Sequence, residues 1–235
     1  MPLLARMAAD DECPAADEAF QQLAILLADN DVDPTPYLAI MAQCLRKPRL
    51  NREPYQLRDL RVLGPKAAPL LPYILSYLDA TYVDTRHEAI RLCGAIGPAA
   101  ASAAPRLLRY AAYGQARFET DATAAIQALG EIGAQPRAFT ALAKTLLATP
   151  ALKESPLRET IYDTLIAYGP QADDALPLMR SLLESESLVD RIGACRVLAA
   201  FGPVAAPALS RLYVLLDEDE THEAALEAIL EIRPR

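Results

Sequence analysis

The chain has no tryptophan, two histidines and four cysteines among its 235 residues. Each scarcity removes a class of chemistry. Cys13, Cys44, Cys93 and Cys195 form no CxxC pair and have no histidine cluster nearby, which argues against a zinc site or a disulfide framework. Cys93 and Cys195 fall in the apolar stripes of expected helices, so both read as buried, reduced thiols. Glycine is scarce as well. No GxGxxG, no GxxxxGK[ST] and no GxSxG occurs, so dinucleotide loops, P-loops and the hydrolase nucleophile elbow are absent. No run of about 18 apolar residues stands out, and no membrane span is expected. Met1 to Cys13 carries one Arg, then Asp10, Asp11 and Glu12, without the basic and apolar stretches of a secretory leader. A cytoplasmic location is therefore expected.

The formal charge of −8 is unevenly spread. Residues 1–45 hold one Arg and eight acids; residues 46–117 hold twelve Lys or Arg and five acids; residues 118–235 hold ten and eighteen. The basic middle reads as a solvated surface or as a patch for an acidic partner, through Arg46, Lys47, Arg49, Arg52, Arg58, Arg61 and Lys66.

What the chain does have is a repeated phrase. An apolar helix end, a Gly-Pro or its relic, small residues, another Pro and a Leu-rich run recur at Gly64, Gly97, Gly133, Gly169 and Gly202. The steps are 33, 36, 36 and 33 residues. A fixed period in this range is the signature of stacked helical repeats. Gly supplies a left-handed cap and Pro cannot continue the ladder, so each phrase ends one helix. A second Pro opens the next, at Pro69, Pro105, Pro136, Pro177 and Pro207. The second helices are expected at Thr85–Ile96, Asp121–Ile132, Leu157–Tyr168, Leu188–Phe201 and Thr221–Ile232, with Tyr55–Leu63 before the first Gly-Pro. Asp17–Ala28 and Pro36–Arg46 read as two further helices. The expected architecture is an all-α solenoid, a right-handed superhelix of antiparallel helix pairs. Residues 1–54 form a helical cap and linker, continuous with about five repeats over 55–235.

From Gln56 to Pro234 the chain resembles the HEAT-repeat superfamily, in the short-repeat form first noted in phycobilisome lyases. The Gly-Pro-x-Ala-Ala phrase carries the resemblance, together with an Arg eleven residues before the repeat glycine at Arg86, Arg158 and Arg191. Glu53, Ala122 and His222 hold that place elsewhere. The resemblance implies a structural Arg, pairing with acids between neighbouring repeats. It specifies fold far better than activity.

HEAT-like enzymes supply three alternatives. Hydroxylases resembling deoxyhypusine hydroxylase hold two irons with four His-Glu dyads. Here there are two, His87-Glu88 and His222-Glu223. They are out of register by one residue, or about 100° round a helix, and four repeats apart. HEAT-like DNA glycosylases need a basic face, which the acidic total opposes, and a bilin-lyase role has no residue set behind it. The expectation is a non-enzymatic scaffold with no cofactor or metal, binding a protein rather than nucleic acid. The expected concave column lies six residues before each repeat glycine, or before its equivalent Arg233 in the last unit: Arg58, Arg91, Gln127, Asp163, Arg196 and Glu227. One turn earlier lie His87, Thr123, Glu159 and Glu223. Such a column would orient a partner by charge. Tyr73, Tyr77, Tyr110 and Tyr113 read as packing between repeats or as interface residues. Leu226, Ile229, Leu230 and Ile232 read as an end face for a homo- or hetero-oligomer, with Glu223, Glu227 and Glu231 as a polar cap.

Overall fold

The computed structural model describes residues 1–10, 12–46, 55–112, 119–153 and 155–233. Those residues form helices and turns with no strand. They fall into two compact units, Met1–Leu107 and Leu108–Arg235. The cap boundary expected at residue 54 lies outside the described residues.

The first unit contains α1 (Pro2–Ala9), α2 (Ala16–Asp29), α3 (Thr35–Arg46), α4 (Tyr55–Leu60), α5 (Leu71–Tyr77) and α6 (Val83–Ile96). In α2 the buried residues are Ala16, Ala19, Phe20, Leu23, Ala24 and Leu27, the three- and four-residue spacing of one helix face. Asp17 and Glu18 occupy its first turn, where the helix dipole favours anions. Lys66 closes its other end by donating to the carbonyls of Leu27 (2.8 Å), Ala28 (3.1 Å) and Asn30 (3.2 Å). The expected bounds of α2 and α3 hold to within one residue. Sequence reading assigned no helix to α1, whose Ala5 and Ala8 are buried and which packs on α2 and α3. α2 packs on α4, and both α4 and α5 pack on α6. A short helix, α7 (Ala104–Ala112), runs across the division between the units.

In the second unit, α8 (Glu119–Ile132), α10 (Leu157–Tyr168), α12 (Leu188–Phe201) and α14 (His222–Ile232) are the second helices. They alternate with α9 (Pro136–Leu147), α11 (Leu176–Leu182) and α13 (Leu209–Leu215). α8 packs on α10, α10 on α12 and α12 on α14. Phe139, Tyr162, Leu165, Tyr168, Leu198 and Phe201 are fully or almost fully buried between them.

The repeat glycine does not adopt the left-handed helical cap expected from sequence. Its φ is positive, but ψ lies at −144° in Gly97, −138° in Gly169, −140° in Gly202 and −130° in Gly64. The following proline is the cause. It excludes helical ψ from the residue before it, so the glycine takes the mirror image of an extended conformation, which only glycine tolerates. Gly133 is followed by Ala134 instead, and there Gln135 takes the left-handed helical conformation, at φ 57° and ψ 47°. After each Gly-Pro the chain runs on as a 3-10 turn before the next helix, over Gly97–Ala103, Gly169–Ala175 and Gly202–Ala208.

Leu188–Leu215 forms a helical stretch of 28 residues, with a mean hydropathy of 1.6 over its most apolar window. The sequence reading did not single it out. It is not one straight rod: Gly202 at φ 59° and Pro203 divide it into α12 and α13. Its apolar residues supply the core of the repeat, with Cys195, Val197, Leu198, Phe201 and Leu212 fully buried.

Candidate functional site

The repeat Arg eleven residues before the glycine closes the turn that precedes its own helix. Arg86 donates from Nη1 to the carbonyl of Ala80 at 2.9 Å, and Arg191 to that of Ser185 at 2.9 Å. Arg158 donates to Leu147 at 2.9 Å. His222 stands in the same place and does the same work. Its Nδ1 lies 2.7 Å from the Leu216 carbonyl, six residues back, as Ala80 is from Arg86. The carbonyl only accepts, so Nδ1 carries the proton. That nitrogen is therefore committed to a turn. Among the described residues, no group of three or more His, Cys, Asp or Glu is placed to hold a metal ion.

Arg158 also joins two repeats. Its Nε and Nη2 lie 2.8 and 2.7 Å from Oδ1 of Asp190 on the next second helix. Tyr162 donates to the same oxygen at 2.7 Å and Ser185 to Oδ2 at 3.1 Å. Arg158 and Asp190 are buried, so the pair is held by a full set of hydrogen bonds rather than by charge alone. Burial and the Asp190 carboxylate raise the Tyr162 hydroxyl pKa, which keeps its proton in place as a donor.

This cluster shapes a groove. Gly193 lies beneath the Tyr162 ring so closely that a Cβ there would fall 2.4 Å from a ring carbon. The ring of Tyr162, with Leu188, Val189, Ile192 and Gly193, makes the floor of an open pocket of about 150 Å³ between α10 and α12. Leu188 is 37% exposed and Val189 43%. Glu159 and Arg196 stand at the rim.

The expected column residues Arg58, Arg91, Gln127, Asp163, Arg196 and Glu227 are all solvent-exposed, as are Glu159 and Glu223; His87 is half-buried. The structure brings Arg196 and Asp163 together, at 2.9 Å, across α12 and α10. That pairing cancels a cation and an anion that the sequence reading took as separate features. Arg58, Arg91 and His87 belong to the first unit, and Gln127, Glu159, Asp163, Arg196, Glu223 and Glu227 to the second.

The basic segment is largely engaged within the first unit. Arg46 donates to the Tyr73 hydroxyl at 2.5 Å and its guanidinium lies 4.9 Å from that ring centre. Arg61 lies 3.5 Å from Glu88, and Lys66 caps α2. The Tyr77 hydroxyl bonds the Leu45 carbonyl, so Tyr73 and Tyr77 both serve packing inside the unit. Lys47, Arg49, Arg52, Glu53 and Tyr113 lie outside the described residues. Burial pushes the thiols of Cys93 and Cys195 up to about 12, consistent with inert core residues. The expected end face splits: Ile229 and Ile232 are buried, while Leu226 and Leu230 are exposed.

Sequence reasoning missed Tyr162, Leu188, Val189, Ile192 and Gly193. A signal was there. Tyr162 stands seven residues before its repeat glycine, where other repeats carry Leu57, Ile90, Ile126 and Cys195. Gly193 is a glycine in mid-helix, which calls for a packing reason.

No family model and no curated protein matches the chain. Solved structures do. An engineered protein is similar over 98% of this chain and 73% of its own length, with 18% identity and a TM-score of 0.54. Kap121p, solved bound to Nup53p, is similar over 97% of this chain at 12% identity and a TM-score of 0.61. This chain spans 29% of that protein. Together with the helix pairs and the Gly-Pro turns, these likenesses identify the fold as an all-α solenoid of HEAT-like helical repeats.

Proposed function

We propose that this chain is a non-enzymatic interaction module that binds a protein partner along the face formed by the second helices of its second unit. The observation that carries the reading is the groove between α10 and α12: apolar side chains exposed on an otherwise charged helix face, over a rigid floor. The Tyr162 hydroxyl and the Asp190 carboxylate are spent on each other and on Arg158. The finer kinship, with the short repeats of phycobilisome lyases, rests on the Gly-Pro-x-Ala-Ala phrase and the repeat Arg. An enzyme or a nucleic-acid binder on this fold is the second reading.

Photo-crosslinking residues placed singly at Gln127, Arg196 and Glu227, and at Arg137 and Arg180 on the first helices, test the proposal in the native host. Adducts with one protein from the first set and none from the second are expected. Adducts confined to Arg137 and Arg180, or with nucleic acid, overturn it.

A further inference from the structure

The floor of the α10–α12 groove is set before any partner arrives. Tyr162 is held by its hydrogen bond to Asp190 and by contact with Gly193, so its ring cannot swing to fill the space. The groove is open, and its volume of about 150 Å³ leaves room for one leucine- or phenylalanine-sized side chain on the apolar surface of Leu188, Val189 and Ile192. Leu188 and Val189 pay a hydration penalty in the free protein that such a side chain would relieve.

The charges round the groove point to the rest of the partner. The exposed face of the second unit's second helices carries Glu159, Asp163, Glu223 and Glu227 against Arg196 alone, with Gln127 neutral. Arg196 is occupied by Asp163 at 2.9 Å. Glu159, Glu223 and Glu227 form no ion pair among the described residues. Three carboxylates without cations favour a basic polypeptide by charge complementarity and repel a phosphate backbone.

We infer that the groove is an anchor site for one aliphatic or aromatic side chain of a basic polypeptide segment, with a neighbouring Lys or Arg of that segment pairing with Glu159. The inference rests on the interaction-module reading and narrows it to one place and one partner chemistry. The rigid Tyr162 floor reduces the ordering needed on binding, and the apolar anchor gives the specificity that charge alone does not.

Methyl-labelled protein titrated with millimolar acetyl-Lys-Phe-Lys-amide tests this by NMR. Saturable shifts of the Leu188, Val189 and Ile192 methyls are expected. Acetyl-Glu-Phe-Glu-amide and acetyl-Lys-Ala-Lys-amide should bind about tenfold more weakly or not at all. Glu159→Gln, an exposed change that leaves the fold intact, should weaken Lys-Phe-Lys about threefold. Absence of saturable shifts at those methyls, or equal binding of either control peptide, overturns the inference. If the peptide fails while crosslinks still map to Arg196 and Glu227, the anchor site falls and the module reading stands. Crosslinks confined to the first helices remove both.

Discussion

One place in the repeat, nine residues before the repeat glycine, is solved in opposite ways in the two units. Before Gly97, in the first unit, it is Glu88, half-buried on α6, which reaches back 3.5 Å to Arg61 in an ion pair. Before Gly202, in the second unit, it is Gly193 on α12, which leaves no side chain at all and lets the Tyr162 ring lie against the helix backbone. The partner place on the preceding second helix changes in step: Leu57 in the first unit, Tyr162 in the second. A large residue facing a glycine is a matched pair of volumes. The groove therefore comes from departures from the repeat pattern, while the pattern itself supplies the helix framework.

The sharpest way to break this comparison is to remove the inter-repeat ion pair on each side. Arg158→Ala leaves Asp190 buried without its cation and should cost about 3–5 kcal/mol. Arg61→Ala, whose pair is partly exposed, should cost less than about 1 kcal/mol. Denaturant titration measures both, and equal losses would mean that burial does not separate the two pairs. Next comes the shared place itself. Gly193→Ala drives a methyl into the Tyr162 ring and should cost about 1–3 kcal/mol, whereas Glu88→Ala should stay within about 1 kcal/mol. Adding Tyr162→Leu to Gly193→Ala should give a smaller loss than the sum of the two single changes. An additive cycle would show that the ring and the glycine are independent.

The repeat glycines sharpen the comparison from the other direction, because there the units should agree. A Cβ at Gly64 or Gly169 meets only a backbone oxygen, at 3.7 and 3.6 Å, so the cost of alanine is backbone strain. Each change should cost about 1–3 kcal/mol, and thermal melts of the two should coincide closely. The smallest effect concerns Cys93 in the first unit and Cys195 in the second. Both thiols are raised to about 12 by burial, while a thiol free in the unfolded chain ionises near 9.0. The unfolded state therefore loses protons first, and stability should fall as pH rises above that value. Iodoacetamide at pH 8 should modify Cys13 and Cys44 well before either core cysteine. Rapid labelling of one core cysteine alone would mark its unit as the looser one.

Much of the architecture was legible because its causes are local. The Gly-Pro phrase stops α6, α10 and α12 where it stands, so α10 and α12 have the bounds read from sequence, and α6 and α8 start only two residues earlier; α4, expected to reach Leu63, instead ends at Leu60 and passes into a 3-10 stretch over Arg61–Leu70. His222 could be placed in the register of the repeat Arg by counting alone, and its bond to Leu216 follows from that register. The glycine conformation was only half legible: positive φ follows from the residue type, but ψ near −140° depends on the proline after it. α1 stayed hidden because a short helix of alanine and leucine acquires its meaning from the α2 and α3 surfaces that it covers.

What the sequence determined by itself is the period, the helix ends and the exposure of every sixth-place residue from Arg58 to Glu227. These follow from backbone preferences and from the side on which each helix is apolar. What only the tertiary structure decided is which residues meet. Arg196 neutralises Asp163 from 33 positions away, and Asp190 gathers Arg158 and Tyr162 from a neighbouring helix. Gly193 opens a groove only because Tyr162 stands opposite it. Contacts between helices depend on how deeply one side chain lets the next helix approach, and no single segment of chain carries that information.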